Sequence, residues 1–419
     1  MNDNRLFALV LWALIAVWPA AAAPRLKYVA IVSRHGVRSP TWDAARLNEY
    51  SAQPWPEWGV APGELTRHGR DLIKLMGAYY GEWLTKEHLI DSQGCRDAGR
   101  VRIVADTSQR TLETGRALAE SLMPGCRIAI QSQPEDQKDP LFSGAGTPDP
   151  KLSLSAVRDR LGPDAQRLIA DHRAAIDALQ LILTGGRSAL RRLLEPPLEI
   201  GVSLSSKTVE LTGPFSVGST LSENLLLEYA NGFQGPNLGW GRLTRENLLQ
   251  VLEVHAVYAD LMRRTAYLAR VRGSNLLAHV LLSMEQAVSG KPVPGALGLP
   301  GDVLLILSGH DTNLSNLSGI LGLSWRLDGY QPDDTPPGGA LVFSLWRDDA
   351  GQYSVTAQYI AQSPDQMRNG DRLTMAAPPV SQKVSIPGCH TDSGCPWDRF
   401  KVTVQKATDS AFVAVPAER

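Results

Sequence analysis

Residues Tyr28 to Val32 form an unbroken apolar run of strand-prone residues that leads straight into Ser33-Arg34-His35-Gly36-Val37-Arg38-Ser39-Pro40. Such a run reads as a strand buried on both faces, and that calls for a sheet covered by helices. Ligands of open α/β sheets sit beyond the carboxyl ends of the strands, so this loop delivers a histidine flanked by two guanidinium groups to a binding position. Arginine forks match phosphate oxygens, and an imidazole kept neutral between two cations can attack phosphorus. Gly36 is expected to let the backbone approach an anion closely. The bland alternative is that Arg34 and Arg38 are surface charges and His35 a satisfied strand-end histidine; the strand-to-loop context argues against it. Thr66-Arg67-His68-Gly69-Arg70 has similar composition, but no strand precedes it and the helical run Asp71 to Met76 follows. There Thr66 is expected as a helix N-cap and His68 as first-turn scaffolding.

A second buried-strand pattern, Asp302 to Ser308, feeds Gly309-His310-Asp311-Thr312-Asn313 and pairs a histidine with a carboxylate at another strand end. Arg102 to Thr111 again runs from strand to helix start and carries Arg110. Taken together, Arg-His-Gly-Val-Arg-Ser-Pro near the N-terminus and Gly-His-Asp-Thr-Asn far downstream resemble the histidine acid phosphatase family, in particular its bacterial periplasmic phytases and glucose-1-phosphatases. The similarity spans nearly the whole mature chain, with weaker collinear matches at Trp55-Pro56-Glu57-Trp58, Trp240-Gly241-Arg242, Thr335 to Gly339 and Gln366 to Asn369.

The resemblance implies an acid phosphomonoesterase that works through a phosphohistidine on His35. Arg34, Arg38, Arg110 and His310 would hold the phosphate, and Asp311 would protonate the leaving oxygen and then assist water. No metal or other cofactor is implied, because the arginines supply the charge. Thr41, Asp106 and Glu223 are implied as substrate contacts, although Glu223 equally reads as a capping-box acid paired with Thr220 at a helix start. Phytate hydrolysis of the 4-phytase kind leads, with a glucose-1-phosphatase or broad sugar-phosphate phosphatase behind it. The reason for keeping both is Trp42, which follows Thr41 where phytate-specialised relatives tend to carry a basic residue. A secreted phosphate-ester binding protein without catalysis is disfavoured, since binding needs only the cations and not both His35 and Asp311.

Residues 1–22 have the layout of a cleaved secretory leader: Arg5, an apolar run from Leu6 to Trp18, then an alanine cluster. A periplasmic or secreted protein with no membrane segment in its mature form is therefore expected. In an exported chain the four cysteines suggest disulfides, and four cysteines allow three pairings. The family resemblance favours Cys95 with Cys126 and Cys389 with Cys395. With 42 basic and 43 acidic residues, no basic tract points to nucleic acid, so positive charge must be focused locally on a small phosphorylated substrate. A monomer is the expectation.

The alternation of strand and helix patterns predicts an α/β fold, a mostly parallel sheet with helices on both faces, carrying an inserted smaller helical domain. The expected division is 23–138 for the first α/β part, 139–262 for the helical insertion and 263–419 for the second part, with turn-rich boundaries at Pro134 to Pro140 and Gly144 to Pro150. Strands are expected near 28–32, 101–105, 127–130, 303–308, 341–346 and 355–359. The clearest helical runs are 71–84, 111–121, 156–183, 221–229 and 244–270.

Overall fold

In a computed structural model, residues 23–135, 137–187, 193, 195–203, 208–389 and 394–414 are described; the expected leader, residues 1–22, lies outside them. The strand Arg25–Arg34 runs through the middle of an eight-stranded mixed sheet. On one side it pairs in parallel with Leu304–Gly309, which pairs in parallel with Val101–Ala105 and then Ile130–Gln131. On the other side it pairs antiparallel with Ala340–Arg347, followed by Tyr353–Ala361, whose far edge takes Val380–Val384 and Cys395–Pro396.

Both faces of the central strand are buried, as its apolar run requires. Tyr28, Ala30 and Val32 enter one core with Leu277, Leu305, Leu341 and residues of the helices Ala266–Ser289, Asp311–Leu321 and Trp397–Ala407. Leu26, Val29 and Ile31 enter the opposite core with Met76, Ile103 and Leu118, from the helices Arg67–Lys86 and Gln109–Leu122. Each such side chain taken fully out of water contributes about 1.5–3 kcal/mol, so the strand is anchored along its length before its last residues do any chemistry. A third cluster gathers Leu47, Tyr50 and Trp55 with side chains from Val157 to Leu268.

Several elements differ from the sequence reading. The run 156–183 is three helices, Pro150–Leu161, Ala165–Asp171 and Arg173–Thr184. Gly162 leaves the helical region at φ 81° and Pro163 follows it, which removes a donor and blocks continuation. The run 244–270 breaks at Arg263-Arg264 into Arg245–Met262 and Ala266–Ser289, so helix continues well past Met262. The strand expected at 127–130 shrinks to Ile130–Gln131, and the helix expected at 221–229 begins at Pro214. Thr66 caps its helix as expected, its side chain accepting from the Gly69 N–H.

Packing requires glycine at position 36. A Cβ there would lie 2.7 Å from Ile73 Cγ1 and 2.9 Å from the Gly69 carbonyl, and one on Gly69 would lie 2.1 Å from the Val37 carbonyl. Two glycines therefore let the helix Arg67–Lys86 press directly on the loop that carries Arg34, His35 and Arg38.

Disulfides join Cys95 to Cys126 and Cys389 to Cys395, with sequence separations of 31 and 6. Loop-closure entropy assigns roughly 3–4 kcal/mol to the longer link and roughly 2 kcal/mol to the shorter. Replacing Cys95 and Cys126 together with alanine is thus expected to lower the thermal midpoint more than the same change at Cys389 and Cys395. Differential scanning calorimetry of the two double variants checks the order; the reverse order would mean that native-state contacts outweigh chain entropy.

Candidate active site

Register assembles the site. Along the three parallel strands Ser33, Ser308 and Ala105 are neighbours in one row, and Arg34 lies opposite Gly309. His35 then donates its N–H to the Gly309 carbonyl at 2.9 Å and Asp106 to the Ser308 carbonyl at 3.0 Å. Three chain segments so end at one level, and His35, Asp106 and His310 emerge together.

His35 is 2% exposed. Its Nδ1 lies 2.8 Å from the Gly36 carbonyl, and a carbonyl only accepts, so Nδ1 carries the proton and the neutral ring has its lone pair on Nε2. Burial, then the charges of Arg34, Arg110, His310 and Arg38, push this imidazole well below its ordinary range. His310 meets it edge-on, ring centroids 5.6 Å apart. His310 is in turn held by the Asp106 carboxylate, 2.6 Å from Nε2, and its backbone N–H is taken by Asn313 Oδ1 at 2.9 Å. Burial would raise the Asp106 carboxyl, but the hydrogen bond and charge of His310 carry it below the usual range. Asp106 thus stands behind His310.

Arg34 is 1% exposed and donates to the Thr335 carbonyl at 2.6 Å and to Glu223 Oε1. Arg38 donates to Glu223 Oε2 at 3.1 Å and to the Ser39 carbonyl at 2.9 Å. Glu223 sits in mid-helix of Pro214–Ala230, so the capping-box reading with Thr220 does not hold: that helix begins nine residues earlier. Its carboxyl, which burial alone would raise, is held down at about 2 by Arg34 and Arg38. Arg110 donates to the Gly63 carbonyl at 3.3 Å and reaches His310 Nδ1 at 3.5 Å. Thr41 is exposed, at the rim. Beside it, Arg46 lies over the Trp42 ring, 3.7 Å from the centroid. A hollow of about 510 Å³, walled by Trp42, Trp55 and Trp58, opens next to Ser39 and Pro40.

Asp311 starts the helix Asp311–Leu321, with Oδ1 accepting from the Thr312 N–H at 2.9 Å and Oδ2 from Arg263 NH1 at 2.5 Å. Burial would raise its carboxyl, yet Arg263, Arg34 and His255 keep it well below the usual carboxylate range. An ionised Asp311 differs from the protonated donor expected from the sequence. The cause is Arg263, which sequence reasoning missed because it follows the helix Arg245–Met262 with no motif around it and looks like an ordinary helix-end charge. His255 was missed likewise. It is 4% exposed, its Nδ1 lies 3.0 Å from Ser219 Oγ, and its Nε2 has no partner among the described residues.

Glu223, His255 and Asp311 bring ligand-type atoms within 4.8 Å of one another. Both carboxylates already carry guanidinium partners, and the four arginines around them repel a cation, so the pocket's charge suits an anion.

Comparison with known proteins agrees with this geometry. Residues 25–149 and 226–360 match the family model for the histidine phosphatase superfamily, branch 2. The chain is 37% identical over 389 residues to phytase AppA of Escherichia coli (strain K12), covering 88% of this chain and 89% of that one. It is 25% identical over 414 residues to a glucose-1-phosphatase of Providencia rettgeri, covering 92% of each. The solved Hafnia alvei phytase in complex with tartrate superposes with a TM-score of 0.86 at 34% identity, covering 94% of this chain and all of that one.

The Glu223 carboxyl, depressed to about 2 from an unfolded value near 4.5, adds stability that is complete above pH 4.5 and is lost as pH falls toward 2. Glu223→Gln leaves Arg34 and Arg38 buried without a counter-charge, at a cost of about 3–5 kcal/mol. The gap in thermal midpoint between wild type and variant is expected to be widest near pH 6 and to narrow steadily below pH 4.5. A gap independent of pH would mean that the side chain acts through packing alone.

Proposed function

This chain belongs to the histidine phosphatase superfamily, branch 2, and from that membership we propose that it hydrolyses phytate by way of a phosphohistidine on His35. The protein is a phosphatase; the substrate and the roles of single residues are what is proposed. The observation that carries the reading is the tautomer of His35. Its proton is committed to the Gly36 carbonyl and its pKa is depressed, so Nε2 keeps a lone pair for in-line attack in acid, where a free histidine would be protonated.

In this reading Arg34, Arg38, Arg110 and His310 hold the equatorial oxygens and neutralise the charge of the transition state. As the bond from phosphorus to the leaving oxygen breaks, Asp311 supplies a proton; in the second step it takes one from the water that attacks the phosphohistidine. Asp106 fixes the ring of His310, and Glu223 holds the buried Arg34 and Arg38 in place until phosphate arrives. Thr41 at the rim would meet the substrate's ring. The segment 139–262 would act as an inserted cap over the sheet ends, contributing Glu223.

Phytate leads because the named relatives at 37% and 34% identity are phytases. A sugar-phosphate substrate is the second reading, favoured by Trp42 at the rim and by the glucose-1-phosphatase relative. The two disulfides support export to an oxidising compartment such as a periplasm. No helix among the described residues is long and apolar enough to cross a membrane.

His35→Ala is expected to abolish turnover and phosphoenzyme while leaving the thermal midpoint near that of wild type. Acid quench after mixing with labelled substrate reads this directly, and a wild-type protein that takes up no label would sink the covalent route. Asp311→Asn is expected to slow hydrolysis of alkyl phosphates such as phytate by on the order of 10²–10⁴, while release of p-nitrophenol from its phosphate ester slows far less. Equal losses in the first step for both substrates would make Asp311 a positioning group and not the proton donor. Turnover on phytate against glucose 1-phosphate distinguishes the two substrate readings.

A further inference from the structure

Both carboxylate oxygens of Asp311 are occupied as acceptors, one by the Thr312 N–H and the other by the Arg263 guanidinium. In this state Asp311 has no proton to give. The arrangement suits the second half of the reaction, in which a carboxylate takes a proton from water, and blocks the first half, in which it must donate one to the leaving oxygen. Because the ion pair with Arg263 favours the carboxylate, protonating Asp311 efficiently requires the guanidinium to withdraw. The other charged or titratable groups facing Asp311 do not remove this requirement. Arg34 from the central strand, Arg38 from the loop after it, Arg110 from the first turn of the helix Gln109–Leu122 and His255 from the helix Arg245–Met262 all favour the ionised form, and Glu223 opposes it.

Arg34 and Arg38 are held on Glu223, and Arg110 is turned to Gly63 and His310. Arg263, by contrast, is bound to the very group that meets the leaving group, and its side chain is 14% exposed. A guanidinium there can transfer from one anion to another without being left bare, provided the substrate brings a second anion on its leaving-group side. A neighbouring phosphate of a polyphosphorylated ring is such an anion. A neutral alcohol such as glycerol is not.

We propose that Arg263 is a specificity-determining positioning residue: it holds Asp311 as a carboxylate in the free enzyme and releases it only when an anionic leaving group draws the guanidinium away. This inference rests on Asp311 being the proton donor. On binding, the guanidinium exchanges Asp311 for the second phosphate and Asp311 takes one proton from solvent. That proton passes to the leaving oxygen as the P–O bond breaks and His35 Nε2 bonds to phosphorus. Water then attacks the phosphohistidine, forming a P–O bond as the P–Nε2 bond breaks; inorganic phosphate leaves, His35 is restored, and the proton from water goes to Asp311, which gives it to solvent when Arg263 comes back. Substrates with several phosphates are thereby selected through acid strength, and not only through binding.

The test is the pH dependence of alcohol release in single turnovers with saturating enzyme, for phytate and for glycerol 2-phosphate. Single turnover isolates the step that needs the proton, and saturation reports the complex and not the free enzyme. In the wild type the alkaline limb for phytate is expected to lie about one pH unit or more above that for glycerol 2-phosphate, since an opposite charge at this range moves a carboxyl by about that much. In Arg263→Gln the two limbs are expected to coincide, with the limb for glycerol 2-phosphate moving up. Arg263→Lys, which retains the cation, is expected to keep them apart. Coincident limbs in the wild type, or a Gln variant that merely raises KM for both substrates alike, would overturn the proposal. Asp311→Asn, run in parallel, separates the two possible failures. If, at a pH below the wild-type alkaline limb, it releases the alcohol of glycerol 2-phosphate as fast as the wild type, Asp311 is not the donor and the underlying reading fails. If it is slow while Arg263→Gln still fails to bring the limbs together, only the role of Arg263 falls.

Discussion

A guanidinium that is almost wholly removed from water governs this fold. Burying an unpaired charge is prohibitive, so Arg34 exists at the end of a core strand only because partners reach it from elsewhere. The Thr335 carbonyl comes from the loop before the strand Ala340–Arg347, and the Glu223 carboxylate comes from a helix far along the chain. Glu223 also takes Arg38, so one carboxylate balances two cations and ties the helix Pro214–Ala230 to the loop after the central strand. Both forks are already desolvated and held by a carboxylate, the preorganisation that the proposed phosphate site calls for.

Position comes from the sheet. The parallel pairing of Arg25–Arg34 with Leu304–Gly309, and of that strand with Val101–Ala105, brings three strand ends to one level although they lie far apart in sequence. The two histidines then sit edge to face with no freedom to drift, because each has its backbone or ring committed. His35 is locked by the Gly36 carbonyl and His310 by Asp106 and Asn313. The packing of Gly69 against Val37 presses a helix onto the same loop from below. A slip of one residue in either pairing would turn these side chains to the opposite face of the sheet.

The electrostatics divide labour between like groups. Two carboxylates, Glu223 and Asp311, lie close together and are kept ionised by neighbouring arginines, Glu223 by Arg34 and Arg38 and Asp311 by Arg263 and Arg34. One stays with its cations as a structural counter-ion. The other is paired with the guanidinium of Arg263, and on the proposed mechanism its charge state is open to the substrate. A nearly neutral chain thus achieves a strongly cationic pocket by grouping a few arginines and by spending acidic partners on their outer sides.

Much of this was written in local sequence. An apolar run that stops at Arg34-His35-Gly36-Val37-Arg38 requires a buried strand and places a histidine between two cations, and Gly309-His310-Asp311 repeats the device, because strand burial and strand-end position depend only on neighbouring residues. The cap at Thr66 was legible for the same reason. Other facts had no local signature. Glu223 read equally as a substrate contact and as a helix-start acid, and its pairing depends on a helix that begins at Pro214 and on two arginines nearly two hundred residues away. Gly36 looked like a door for an anion and proved to be a contact surface for Gly69. Arg263 carried no pattern at all, since its meaning lies in one hydrogen bond to Asp311. The sequence by itself determined which groups stand at the strand ends; the tertiary structure alone decided which charges neutralise which, because a Coulomb interaction depends on distance in space and burial, and neither is a property of a residue and its neighbours in the chain.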